Sequence, residues 1–364
     1  MPVQNYETLN VGTSGDVTTT RTMLHEAIPL TGTIISGTYG TFHSERNIKN
    51  YAHGMFQSVY DYPYLSSSAN HIFDISLGYD NRSVLSASAD AGSVHVQRAK
   101  KINIYNQYAQ VLLGYTGSTS EVEIFESDLN LGDNNNYMKE VFFLNFSRLL
   151  QKDQIKKGSF SLSLGTGSWG TVAPILTLTD ASASVAGGGT KNTNGGDYGV
   201  LYTSSAGPDQ GGVGVLFYQA GIAVITASVF KVDPGDQAGS NGFAMIDGTS
   251  YSASGSWQSA SISGTCDAIR HRIQNLSFTN TTEINSTIYF CRVPHNKYNY
   301  SSNPTYISGS KIRVKAVASD MPITYITTVG LYNASNELLA VAKLSEPLRK
   351  DPTNEITLRV RLDY

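Results

Sequence analysis

The sequence predicts an α+β, β-rich protein with a few helices in its N-terminal half, a Gly/Ser-rich β middle and a β-sandwich-like antiparallel C-terminal region. Two observations support this class. Charged residues are only 15% of the 364 residues, whereas Gly (34) and Tyr (22) are plentiful, so the polarity comes from hydroxyls and amides, as in β-rich proteins with many turns. Along residues 310–364, β-branched and aromatic residues alternate with polar ones, which is typical of half-buried strands.

Residues 310–364 are predicted to form four strands in a row. The strands are Lys311–Ala318, Ile323–Tyr332, Leu338–Leu344 and Glu355–Tyr364. Asn333–Glu337 has the residues of a tight turn, so the second and third strands should form a hairpin. Pro322 and Pro347 cannot donate to a ladder and should mark breaks. The last strand is expected to pair in a sheet of this molecule or of a neighbour.

Three earlier stretches have the apolar spacing of helices. They are Arg46–Tyr60, Asn103–Gly114 and Tyr137–Lys157. Pro63 should end the first, and Gly114 and Gly158 should terminate the other two. The third stretch is dense enough in apolar residues to predict a buried helix.

Changes in composition predict four segments. These are an extended N-terminal arm at 1–45, an α+β domain at 46–164, a Gly/Ser-rich β insertion domain at 165–264, and an antiparallel β domain at 265–364 that packs with 46–164. The arm fits an extended segment ordered by partners, and it fits an ordinary edge strand equally well. Strands are expected in the insertion at 175–179, 199–202, 213–218 and 221–230, and a glycine-rich loop at 187–196.

The charge and hydropathy of the chain argue against two classes of partner. A net charge of −3 and a pI of about 6.2 give no electrostatic footprint for nucleic acid or an anionic membrane. No apolar run approaches the length of a transmembrane helix, and the N-terminus lacks the pattern of a secretory signal. We therefore expect neither nucleic acid nor a membrane as a partner.

Two cysteines and two histidines form the one pattern that resembles a metal site. Cys266, His271, Cys291 and His295 make a Cys-x4-His and a Cys-x3-His pair, and zinc takes two thiolates and two imidazoles tetrahedrally. The spacing is not that of a standard finger. A disulfide between Cys266 and Cys291 is an alternative, and separate structural thiols are the default, so no metal site is assigned.

Other candidate motifs favour ordinary structural roles. Gly165–Gly170 matches G-x-G-x-x-G, but a β-like stretch with Pro174 follows instead of a helix, which predicts a turn and no cofactor. The histidines His25, His43, His53, His71 and His95 accompany no nucleophile signature, although His53 could face Ser58 or Asp61. No catalytic residue is predicted.

Two charged runs are expected to be solvated. The acidic residues Glu121, Glu123, Glu126, Asp128 and Asp133 hint at calcium but lack the spacing of a calcium loop. Arg98–Lys101 is a small basic patch that should flank a helix rather than contact DNA.

The excess of Tyr is the feature most suited to function, because Tyr buries a large area at subunit interfaces. The alternative is that Tyr is simply common in strands.

Three stretches are distinctive when taken together: Arg46–Asp74, Glu140–Phe160 and the chain from Tyr300 onward. They resemble virion structural proteins of tailed phages, especially contractile-tailed marine and cyanobacterial phages. The resemblance implies a non-enzymatic, oligomeric building block of the tail, neck or baseplate. Its partners would be other copies and other virion proteins, and it would be assembled in the host cytoplasm. A capsid-surface or vertex decoration protein is the close alternative. The N-terminal arm and the last strand would be the expected elements for β-augmentation.

Two rival functions remain open at this point. The first is a receptor- or glycan-binding tail tip or fibre, in which the Gly/Ser-rich middle with Trp169 and Trp257 recognises a host-surface glycan. The second is a glycan depolymerase with a pair of carboxylates, but nothing in the sequence selects such a pair.

Overall fold

A computed structural model of the chain describes residues 7–10, 15–31, 46–86, 93–116, 121–131, 133, 135–165, 175–184, 189–203, 212–230, 261–301, 304–309, 311–312, 317 and 319–364. The strands are β1 (Val17–Thr31), β2 (Ile48–Asn50), β3 (Gln57–Tyr60), β4 (His71–Tyr79), β5 (Glu140–Phe146), β6 (Gln154–Ile155), β7 (Ser161–Gly165), β8 (Ile175–Thr179), β9 (Thr190–Thr193), β10 (Gly196–Thr203), β11 (Gly214–Phe217), β12 (Ile222–Thr226), β13 (Ile273–Val293), β14 (Ile307–Ser308), β15 (Lys311–Ile312), β16 (Thr324–Tyr332), β17 (Leu338–Lys350) and β18 (Ile356–Asp363). The α-helices are α1 (Ser93–Leu112), α2 (Arg148–Gln151) and α3 (Ile262–Arg272), and short 3-10 helices span Val84–Ser86, Ala181–Ser184 and Ala227–Phe230.

The predicted fold class is confirmed, because the protein is β-rich with antiparallel sheets and few helices. The chain forms two compact units. The larger unit is Leu24–Thr282, and the smaller unit combines Met1–Met23 with Glu283–Tyr364. Strands β1 and β13 each contribute to both units. No helix within the described residues is long and apolar enough to cross a bilayer.

The core of the larger unit is built around β5, which lies between β4 and β12 and is buried on both faces. Val141–Leu144 are completely buried. On one face, the ring of Phe143 stacks on that of Tyr108 in α1, with centroids 4.0 Å apart. On the other face, Phe142 stacks on Phe230 at 5.7 Å. A strand covered on both faces needs apolar residues at successive positions.

The predicted helix at Tyr137–Lys157 is therefore wrong. The stretch forms β5, the single-turn helix α2 and the short strand β6. A continuous apolar run looks the same in a buried helix and in a buried strand, because neither shows alternation. Hydrogen bonding to β4 and β12 on its two edges makes this run a strand.

The predicted helix at Arg46–Tyr60 is also wrong, because the stretch is a hairpin of β2 and β3. Ile48 and Val59, two of the positions that suggested a helical face, are paired across this hairpin. Gly54 in the connection has φ +62°, a left-handed conformation that glycine adopts without steric cost and that interrupts a helix.

The predicted helix at Asn103–Gly114 is confirmed within the longer helix α1, and Gly114 ends it with φ +103°. The expected solvated face at Arg98–Lys101 is wrong. Arg98 is 5% exposed and Lys101 is fully buried, because α1 packs closely on β4. A Cβ added at Gly78 of β4 would lie 2.6 Å from the carbonyl oxygen of Lys101.

Most of the predicted strands are confirmed. β8, β10 and β11 occur where the sequence placed them. The strand predicted at 221–230 is confirmed only as β12, because Ala227–Phe230 form a 3-10 helix, and the predicted loop at 187–196 contains β9, which pairs with β10. β16 and β17 form the predicted hairpin, but β17 continues through Pro347 to Lys350 across an irregular register. Of the predicted strand at Lys311–Ala318, only 311–312 are described as a strand, in β15, and residues 313–316 and 318 lie outside the described residues.

The first and last strands, β1 and β18, belong to the same sheet. β18 pairs with Ser286–Val293 of β13 in this chain. β1 comes first in the order of strands and neighbours β13, so residues 17–31 form an edge strand. This agrees with the edge-strand alternative for that part of the N-terminal arm, and residues 1–6, 11–14 and 32–45 lie outside the described residues.

The burial of Lys101 predicts that stability depends on pH. Burial lowers the pKa of Lys101 to about 7 from an ordinary value of 10.5. Below pH 7 Lys101 is charged in the folded protein, which bears the full cost of the buried charge. Above pH 10.5 Lys101 is neutral in both the folded and the unfolded protein. The contribution of Lys101 to the free energy of unfolding should therefore rise with pH between about 7 and 10.5.

Replacing Lys101→Met should raise the free energy of unfolding at pH 6.5 by up to about 4 kcal/mol, with the gain shrinking toward zero near pH 10.5. Denaturant unfolding at several pH values checks this. The control is Lys100→Met, which removes an ammonium that donates to the carbonyl oxygen of His53. A gain in Lys101→Met that does not vary with pH would contradict the buried charge.

Candidate functional site

The smaller unit contains an antiparallel two-stranded sheet, β16 and β17, which we call the ribbon. Side chains are exposed or half-buried along nearly its whole length, and only Thr324 and Lys350 at its base are buried. A ribbon of two strands is marginally stable alone in water. Its structure therefore depends on its turn, on its base and on whatever covers its apolar residues.

The turn of the ribbon is held by the side chain of Asn333. Its Oδ1 accepts hydrogen bonds from the backbone N–H groups of Ser335 (2.9 Å) and Glu337 (2.8 Å), and its Nδ2 donates to Glu337 Oε2 (2.6 Å). Asn336 adopts φ +62°, a conformation that Asn tolerates better than most residues. These contacts fix the end of the ribbon in one geometry.

Four large apolar side chains are exposed next to this turn. They are Tyr332 (43% exposed), Leu338 (52%), Leu339 (68%) and Val341 (51%), and we call them the tip patch. Leu339 is an extra residue in the ladder, because Leu331 pairs with Ala340 and Tyr332 pairs with Leu338. Exposed apolar side chains that are clustered on a fixed backbone are typical of interaction surfaces.

The base of the ribbon is anchored by the buried ammonium of Lys350. Its Nζ lies 2.6 Å from Asn299 Oδ1, 2.8 Å from the carbonyl oxygen of Asp351 and 3.1 Å from that of His295. An ammonium has three N–H donors, so each finds an oxygen. Nearby, Thr324 donates to the carbonyl oxygen of Tyr298 at 2.6 Å. No pattern in the sequence indicates this anchor.

Exposed tyrosines accompany the ribbon in the smaller unit. They are Tyr298, Tyr300, Tyr325, Tyr332 and Tyr364. Elsewhere, Tyr79, Tyr105, Tyr198 and Tyr218 are buried in the core of the larger unit. The excess of Tyr therefore divides between packing and surface, and the surface share in the smaller unit suits an interface.

The four Cys and His candidates are divided between the units. Cys266 and His271 are buried in α3, where the Cys266 Sγ lies 3.5 Å from the carbonyl oxygen of Ile75 and the His271 Nδ1 lies 2.7 Å from that of Asp267. Burial raises the pKa of the Cys266 thiol, which opposes the thiolate that zinc requires.

The other two candidates are in the smaller unit. Cys291 is on β13 and His295 follows that strand, where its carbonyl oxygen accepts from Lys350. Cys266 and Cys291 are both free thiols, so the alternative disulfide does not form in this structure.

The histidines that are described have ordinary structural contacts. His53 Nδ1 accepts from the N–H of Met55, and His71 Nε2 lies 2.8 Å from Asp74 Oδ1. Ser58 Oγ also donates to Asp74 Oδ1, at 2.5 Å, rather than to His53 or Asp61. The carboxylate thus stands between the hydroxyl and the imidazole, which is not the order that activates a nucleophile.

Of the remaining histidines, His25 has its Nδ1 3.1 Å from Thr281 Oγ1. His43 and the side chain of His95 lie outside the described residues. Residues 166–170 of the glycine-rich match also lie outside, as do Trp169 and Trp257.

The acidic run differs from its prediction. Glu126 is completely buried rather than solvated, and its carboxylate lies within 4.8 Å of those of Asp128 and Asp133. The sequence analysis placed the three residues in one acidic run but did not predict that their carboxylates meet, because the spacing does not follow a calcium-loop pattern and the residues come together only through the fold of the loop.

Comparisons of the chain with protein-family models, with curated proteins and with solved structures return no match. The resemblance to phage virion proteins therefore stays a prediction.

The anchor at Lys350 predicts a local loss of stability on substitution. Lys350→Met removes the ammonium that donates to Asn299 Oδ1 and to the carbonyl oxygens of Asp351 and His295, of which the last keeps a second donor in Asn299 Nδ2. This loss should lower the opening free energy of residues 324–350 by up to about 3 kcal/mol. Hydrogen exchange of the peptides that cover these residues measures it. Lys343→Met is the matched control, because Lys343 is exposed on the same strand and its replacement should cost under about 0.5 kcal/mol. Equal losses in both variants would show that Lys350 does not anchor the ribbon.

Proposed function

We propose that the chain is a non-enzymatic building block of a tailed-phage virion, in the tail, neck or baseplate, which assembles with other copies of itself through the ribbon. The tip patch is the observation that carries this proposal. Its four apolar side chains are held on a fixed turn and face solvent, and they become buried when a second copy covers them. The particle and its location are proposed from the sequence resemblance.

The size of the tip patch indicates a weak individual contact. Burying one large apolar side chain stabilises by about 1.5–3 kcal/mol, and these four are already about half buried. One patch therefore contributes about 4 kcal/mol, which is less than association commonly costs in lost freedom of motion. Stable assembly consequently needs several contacts per subunit, as a closed ring provides. The exposed tyrosines of the smaller unit are the surfaces available for the additional contacts.

The contact is expected at the tip rather than along the whole edge of the ribbon. In β17 the ladder passes from Lys343, opposite Thr328, directly to Leu348, opposite Ile326, so residues 344–347 are out of register. Pro347 in this stretch also lacks an N–H group. Irregular residues and proline on an edge block continuous strand addition. Side chains of the tip patch therefore provide the contact.

Size-exclusion chromatography with light scattering, over a range of concentrations, tests the assembly. The wild type should form a discrete oligomer whose population rises with concentration. The double variant Leu339→Asp/Val341→Asp should stay monomeric, because it places charges in the contact. The control Thr327→Asp adds a charge at an exposed position of the same ribbon and should assemble like the wild type. A wild type that is monomeric at every concentration, or a double variant that still assembles, would refute assembly through the tip patch.

The location is tested on purified particles of the phage that encodes the chain. Mass spectrometry should find the chain in many copies per particle, and gold-labelled antibodies should mark the tail, neck or baseplate. Labelling of the capsid surface would refute the location, and absence from the particle would refute the virion role.

A further inference from the structure

A compact acidic loop in the larger unit is independent of the ribbon. The residues 127–136 are closed by a bridge between Glu126 and Tyr137. The N–H of Met138 donates to the carbonyl oxygen of Phe125 at 2.7 Å. The Tyr105 hydroxyl of α1 accepts from the N–H of Phe125 (3.1 Å) and donates to the carbonyl oxygen of Met138 (2.9 Å). Both ends of the loop are therefore fixed by the core.

The loop brings three carboxylates together at different depths. Their oxygens lie within 4.8 Å of one another, with Glu126 buried, Asp128 half-buried and Asp133 exposed. The neighbouring side chains Leu129 and Leu131 pack against the hydrophobic core. The loop is thus attached to the core through Leu129 and Leu131, and its acidic groups converge without needing a rearrangement.

Amide groups hold two of these carboxylates in place. The N–H of Asn130 (2.8 Å) and the side-chain amide of Asn136 (3.0 Å) donate to Asp128. The side-chain amide of Asn130 and the N–H of Asn135 donate to Asp133, both at 2.9 Å. These donors keep the pKa of Asp133 below its ordinary value, with the N–H of Asn135 as the largest cause.

A buried tyrosine hydroxyl lies in the strand β10. Tyr198 is 1% exposed, and its hydroxyl oxygen has no hydrogen-bond partner among the residues that the structure describes. Burial raises the pKa of Tyr198, and the negative charges of Asp128 and Glu126 raise it further. A buried hydroxyl without a partner is costly, and it commonly marks a place where water or an ion binds.

Ring contacts connect Tyr198 to the segment that leads into the loop. Its ring packs against Phe217 (5.6 Å), which in turn packs against Phe125, the residue before Glu126 (6.3 Å). Val200 is two residues further along β10 and therefore on the same face. A Cβ added at Gly212 would meet both Val200 and the carbonyl oxygen of Ser127. This face of β10 therefore carries the segment that includes Glu126 and Asp128.

We propose that Glu126, Asp128 and Asp133 bind a Ca²⁺ ion, and that the Tyr198 hydroxyl forms its missing hydrogen bond with a water molecule on that ion. Ca²⁺ takes six to eight oxygen ligands in adaptable geometry and accepts carboxylates, whereas Mg²⁺ demands a near-ideal octahedron and keeps more of its waters. The donors here are all oxygens, so zinc, which prefers nitrogen and sulfur, is disfavoured. The ion neutralises three converging negative charges and ties the loop to β10.

Terbium binding to the chelator-treated full chain tests the site. Tb³⁺ replaces Ca²⁺ and emits when a tyrosine close to it is excited, and Tyr198 would be such a tyrosine. Sensitised emission should appear on addition of Tb³⁺, and Ca²⁺ should displace it with a Kd between about 10⁻⁵ and 10⁻³ M. Mg²⁺ at the same concentration should leave the emission unchanged.

Two variants assign the result to this loop. Asp133→Asn alters an exposed residue, so the fold should persist, and it should weaken Ca²⁺ binding at least about tenfold because the charge of the ligands sets the affinity. Glu121→Gln, in the same acidic run but outside the group of three, should bind like the wild type. Absence of sensitised emission, displacement by Mg²⁺ as effective as by Ca²⁺, or unchanged affinity in Asp133→Asn would each overturn the proposal.

Discussion

The larger unit depends on covering both faces of β5. With Phe143 directed to α1 and Phe142 to Phe230, neither face can be left to solvent. The requirement determines what surrounds the strand: α1 has to approach β4 so closely that only a glycine fits at position 78. The same approach places Lys101 in the core, at a cost in free energy that the packing of the rest of the helix offsets. The buried lysine is thus a consequence of how tightly the helix is packed.

Strands with one solvated face were predicted correctly from the sequence. The strand that is buried on both faces was not. β18 has alternating polar and apolar residues, and it was located within a residue at each end. Tyr137–Lys157 was assigned to a helix because a strand buried on both faces has no alternation to detect. The helix predicted at Arg46–Tyr60 was wrong for a different reason. Residues that lie opposite each other across a short hairpin happened to have helical spacing along the chain.

The candidate sites could be predicted in part. The hairpin and the turn residue Asn333 were evident, since turn chemistry is local. The exposure of Leu339 could not be predicted, because the sequence does not show which apolar side chains are covered by another element. The acidic group was noticed as a charged run, but its geometry depends on the bridge that closes the loop, and Tyr198 is far away along the chain. Lys350 was missed because its three acceptors are distant in sequence or belong to the backbone.

The smaller unit is built from segments that are far apart in the chain, and this separation affects the order of events during synthesis. Thr19 of β1 contacts Thr287 of β13, a separation of 268 residues. At about 5–20 residues per second, a ribosome adds the second roughly 15–50 s after the first. The ribbon follows later still. The tip patch is therefore translated after the whole larger unit, so a nascent chain cannot engage a neighbour through this patch until most of the protein has had time to fold.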